Sequence, residues 1–141
     1  MGIISKLFIG FDFIFYVIFS YYYNNGKTNK RNYPPIGQTY FIMVILFGAL
    51  FMLLYILIDQ ITHLSKNPTF KTYFTKALAV FTMMCVYFLF IFKRRYIYVY
   101  NKYKSQEFAN SKNGKRLGWL LYFIGLMSPI ILSYIIFKIK Y

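Results

Sequence analysis

YFIMVILFGALFMLLYILI, residues 40–58, runs for nineteen positions without a charged side chain. At 1.5 Å per residue a helix of that length covers about 28 Å, close to the roughly 30 Å hydrocarbon core of a bilayer. The feature recurs over twenty-one positions at 117–137, LGWLLYFIGLMSPIILSYIIF. A shorter apolar run occupies 77–92, and a fourth, 7–23, is interrupted by Asp12. The pattern predicts an all-α integral membrane protein, four transmembrane helices in a small antiparallel bundle. The expected spans are about 7–23, 40–62, 73–92 and 117–137. Connectors of ten to twenty-four residues leave no room for a soluble domain, so residues 1–141 read as one membrane domain.

The first span is the marginal one. An Asp near a helix centre costs about 2.5 to 3.5 kcal/mol on insertion scales, and each Leu, Ile, Phe or Val returns roughly 0.3 to 0.6. The apolar residues of 7–23 offset one off-centre Asp, which favours insertion modestly and keeps a helix lying in the interface as the alternative. No small-residue cleavage site follows it at Ser20-Tyr21-Tyr22-Tyr23, so the segment is read as retained. The residues from Asn24 to Gly37 are turn chemistry, with Asn-Asn-Gly at one end and Pro34-Pro35 near the other.

Seventeen Lys and Arg against three acids give a net charge of +14, and topology accounts for it better than nucleic acid does. Lys27, Lys30 and Arg31 lie between the first two spans. Lys93, Arg94, Arg95, Lys102, Lys104, Lys112, Lys115 and Arg116 lie between the last two. Eleven basic residues thus share one side and six the other, which places the basic connector 93–116 in the cytoplasm. If the first segment does not span, the ratio becomes twelve to five and the orientation holds. The connector's Tyr-rich alternation, Tyr96, Tyr98 and Tyr100, fits a strand or a helix. An isolated strand would leave its edges unpaired, so the third helix is expected to project beyond the membrane and end before Asn113-Gly114.

Stripes of small or polar residues at helical spacing mark the expected inward faces: Asp12, Tyr16, Ser20 and Tyr23; Gly48, Met52, Tyr55 and Asp59; Thr75, Ala79 and Thr82; Gly118, Tyr122, Gly125, Pro129 and Ser133. Gly48, Gly118 and Gly125 are the candidate close-packing positions, and Pro129 predicts a bend whose freed carbonyl, that of Gly125, Ser128 or Ser133 can satisfy. Asp12, Asp59, His63 and Lys76 form the candidate intramembrane polar cluster, all toward the non-cytoplasmic leaflet under four spans. Lys76 is the expected partner of Asp59 or Asp12, either as an ion pair locking helices or as part of a relay.

One His, one Cys and three acids exclude the usual multi-ligand metal site, and no converging catalytic set or glycine-rich phosphate loop is present. No cofactor and no enzyme activity are therefore expected. A carrier built from two repeated halves is also disfavoured, because residues 1–70 and 71–141 show no repeat. What the residues leave is a small polytopic protein of a bacterial inner membrane, working as a homo-oligomer or within a membrane complex. One expectation is a pore-type permeabilising effector or toxin. The other is an anchor, accessory subunit or immunity protein whose basic connector recruits an acidic partner. In either case the eight connector cations are candidates for contact with anionic lipid or another anionic ligand, and nucleic acid is not expected.

Overall fold

A computed structural model describes residues 3–29, 35–62 and 68–140. Helix α1 covers Ile3–Asn29, α2 Pro35–Thr62 and α3 Pro68–Val86. The last continues through a π-helical turn, Tyr87–Ile91, and a 3-10 turn, Phe92–Arg94, into α4, Arg95–Lys104. A single-turn helix, α5, Glu107–Asn110, leads to α6, Lys112–Lys140. Pro35 and Pro68 open α2 and α3, where an amide hydrogen would have no intrahelical partner in any case.

Among the described residues, three helices are long and apolar enough to cross a membrane: Ile36–Gln60, Thr72–Lys104 and Lys112–Ile139. Leu7–Tyr23 is a shorter apolar helix. The second of the three is too long for one straight crossing, since its 33 residues measure about 50 Å as helix. It breaks where the basic run begins. Lys93 and Arg94 both take left-handed backbone conformations, at φ 53° and 56°, which cost a residue with a Cβ roughly 1 to 2 kcal/mol each. Residues 72–92, before the break, measure about 31 Å, one hydrocarbon thickness.

Helices α2 and α3 run antiparallel, with Phe51 against Phe81 at 5.3 Å between ring centroids and Tyr55 stacked on Phe74 at 4.7 Å. The core, however, is centred on α1. Seven consecutive residues, Ile14 to Ser20, are buried, so α1 is enclosed on every face. Phe11 meets Phe47 of α2 at 4.8 Å and Phe15 stacks nearly parallel on Phe90 of the π turn at 4.5 Å. Tyr16 and Phe19 meet Tyr100 of α4 on another side. Arg95 and Tyr103 reach residues 9–16 of α1 while Tyr96 and Tyr100 reach 16–23, so α4 crosses α1 instead of running alongside it. Beyond Phe47 in α2, before Thr82 in α3 and beyond Tyr122 in α6, no described side chain is buried. The buried core therefore lies toward one end of the three long helices.

The helical run that continues the third span ends at Lys104, before Asn113-Gly114 as expected, and Asn113 and Gly114 lie inside the first turn of α6. The expected depth of Asp12 changes. Asp12 does not lie at the far end of the bundle from the connector. It meets Arg95, just past the third apolar run, while Tyr21, nine residues further along α1, packs edge-on against Trp119 at the start of the fourth. Both ends of α1 therefore meet the same ends of the long helices. A reporter fused ahead of α1 is expected on the same side of the membrane as one at Lys104 and opposite to one at Asn67. An N-terminal reporter found on the Asn67 side would mean that α1 crosses.

Candidate functional site

The connector is built from the Lys93–Arg94 break. Leu89 sits one turn before it, and in a continuous α-helix its carbonyl would pair with the amide of Lys93. With the helix broken there, Nη1 of Arg95 donates to that carbonyl at 3.0 Å. Nη2 of the same guanidinium donates to both carboxylate oxygens of Asp12, at 3.0 and 3.3 Å. Asp12 is 5% exposed, so the low-dielectric surroundings strengthen the attraction and make any loss of the partner costly. One planar side chain thus joins α1, the π turn and α4.

Two further bridges fix the platform. The Tyr103 hydroxyl donates to the carbonyl of Ile9 at 3.1 Å, and the Tyr16 hydroxyl donates to Oδ1 of Asn110 at 2.6 Å. Asn110 in turn gathers the end of α4, its Nδ2 donating to the carbonyls of Tyr103, Lys104 and Gln106. The first two lie at the C-terminus of α4, where carbonyls need partners from outside the helix, and the third belongs to Gln106, the residue before α5. Ser111 then caps α6, its Oγ accepting the amide of Gly114 at 3.0 Å while donating to the Phe108 carbonyl at 2.7 Å. Its cations are arranged on this frame: Lys102 lies over the Tyr103 ring and Lys104 over Tyr100, at 5.2 and 5.9 Å, while Lys93, Arg94, Lys112 and Arg116 are exposed.

The sequence-derived residues are redistributed by this geometry. Asp12, from the expected intramembrane cluster, joins Arg95, from the expected anion-contact set, and Arg95 is the ion-pair partner the structure gives it in place of Lys76. Asp59 is half-buried in α2, and exposed Lys76 lines an open hollow with Thr69, Thr72 and Tyr73. His63 lies outside the described residues. Gly118 and Gly125 are close-packing positions within the protomer: a Cβ on Gly118 would meet the Val17 side chain at 2.6 to 3.0 Å, and one on Gly125 would meet Leu46 Cδ1 at 2.7 Å. Gly48 has only Thr82 near it, at 4.0 Å. The Gly125 carbonyl, the one Pro129 leaves without an amide, accepts from Ser128 Oγ at 2.7 Å, as the sequence suggested.

Asn110 and Tyr103 escaped the sequence reading. The one available signal was an Asn-Ser pair ahead of a long apolar run, the ordinary form of a helix boundary. Among the described residues, no group of three or more His, Cys, Asp or Glu side chains is placed to hold a metal ion. Fold and site define a small all-helical polytopic membrane protein. No known family model matches the chain, and no curated protein or solved structure matches it either.

Proposed function

We propose that this protein is a non-enzymatic anchor or accessory subunit of a bacterial inner membrane, acting through its basic cytoplasmic connector on an anionic partner. The observation that carries the reading is the preorganisation of that connector. Its α4–α5 frame is tied to α1 by the Asp12–Arg95, Ile9–Tyr103 and Tyr16–Asn110 contacts, so the charged face is ordered before anything binds. The small-residue positions that would let fourth helices pack around a shared pore axis are instead filled by Val17 and Leu46 of the same chain. A permeabilising oligomer retains one supporting observation: among the described residues, no side chain in the far halves of the long helices is buried.

A photo-reactive residue at Tyr98, 65% exposed on α4, tests the reading in cells. Its adducts should disappear when Arg94, Lys104 and Arg116 are changed together to Gln, while those from Tyr134 on α6 persist. Purified protein in liposomes should leave the vesicles tight to ions. Adducts indifferent to the charge changes would remove the connector from the function, and ion leakage dependent on protein density would support the pore instead.

A further inference from the structure

We infer that the connector's ligand is the phosphate layer of the membrane itself: α4 and the first turn of α6 form a docking surface for anionic phospholipid headgroups. This rests on the anchor reading above and names its partner. Lys93 and Arg94 follow directly on a segment, 72–92, of one hydrocarbon thickness, and Lys115 and Arg116 directly precede the apolar run that opens at Leu117. Both ends of the connector are therefore fixed at the same boundary. The headgroup layer occupies only about 5 to 8 Å on each side of the hydrocarbon core, so these four cations fall within reach of phosphates without any projection into the cytoplasm.

On α4, Ile97 and Tyr98 are 42% and 65% exposed and sit one turn after Arg94, while Val99 and Tyr103 are buried, Tyr103 against Ile9 and Tyr16 of α1. A helix with one face in the protein and an aliphatic and a tyrosine side chain set beside cations on the other has interfacial composition, the rings lying at headgroup level and the long basic chains reaching phosphate. Arg95 is held by Asp12, and the remaining seven connector cations face one acid, Glu107. An acidic protein would also answer that charge, but it would not account for an exposed Ile97–Tyr98 pair within a turn of the bilayer boundary.

Trp119, the chain's one tryptophan, is a built-in reporter, since Lys115 and Arg116 lie four and three residues before it on the same helical face. The whole protein is reconstituted in phosphatidylcholine bilayers containing either brominated phosphatidylglycerol or brominated phosphatidylcholine, and quenching of Trp119 gives the relative occupancy of the lipid beside it. Brominated phosphatidylglycerol is expected to be favoured by on the order of tenfold, and Lys115→Gln with Arg116→Gln to bring the ratio within about twofold of unity. Lys138→Gln, at the other end of α6, should leave the preference unchanged. Millimolar inorganic phosphate should not compete, which separates a lipid headgroup from free phosphate. If the double variant does not insert, Lys112→Gln alone should lower the preference in an inserted protein. Equal quenching by the two lipids overturns the proposal. The anchor reading then survives only if the Tyr98 adducts are charge-dependent and proteinaceous, and fails with it if they are not.

Discussion

Replacing Arg95 with Leu is expected to cost the folded protein about 3 to 5 kcal/mol, the penalty for leaving a buried carboxylate without its partner. The change strands Asp12 inside α1's enclosure and leaves the Leu89 carbonyl open at the π turn. Asp12→Leu alone should cost less, because a guanidinium that is one-third exposed can turn toward water. The two changes combined should therefore recover much of what Arg95→Leu loses, a coupling that a double-mutant cycle reads from melting of the detergent-purified protein. Arg95→Lys should fall between, since an ammonium cannot hold both carboxylate oxygens and a carbonyl in one planar fork. Losses that simply add would mean that Asp12 and Arg95 do not meet.

That pair also shows where the sequence was legible and where it was not. The long apolar runs carry their own length criterion, so the three spanning helices could be read from residues alone. Asp12 could be read as an anomaly in a fourth, but its partner lies 83 positions away, and assuming that every apolar run crosses put the two at opposite membrane faces. Their contact instead sets α1 at the ends of the other helices. On α6 the stripe marked the buried face through Gly118 and Tyr122, positions that admit close approach, whereas α1 is buried on every side around Tyr16 and Ser20 and the stripe singled out no face there. On α2 the stripe is mixed: Met52 is exposed, while Tyr55 stacks on Phe74 of α3. The break at Lys93–Arg94 had no signal. Neither residue favours a positive φ, and the contacts of Arg95 with the Leu89 carbonyl and Asp12 lie just beyond them.

Gly114→Ala is expected to be the most disruptive single-methyl change in the chain. Gly114 lies in the first turn of α6, and a Cβ there would fall inside the van der Waals envelope of the Phe108 carbonyl oxygen. It would also stand 2.9 Å from the Phe108 carbonyl carbon and 3.3 Å from Cα of Ala109. These are backbone atoms of α5, which cannot rotate aside as a side chain can. To admit the methyl, α5 must shift, and Asn110 shifts with it, breaking its hold on the Tyr103, Lys104 and Gln106 carbonyls and on the Tyr16 hydroxyl. The loss should exceed the roughly 1 to 3 kcal/mol of ordinary overpacking. At Gly118 the nearest atoms to an added methyl all belong to the Val17 side chain, so Val17→Ala should restore Gly118→Ala, and Gly125→Ala meets only the flexible Leu46. No side-chain change should restore Gly114→Ala. Melting of the purified variants orders the three positions, and a Gly114→Ala protein as stable as the parent would show that α5 and α6 do not approach so closely and that Asn110 does not fasten the connector to α1.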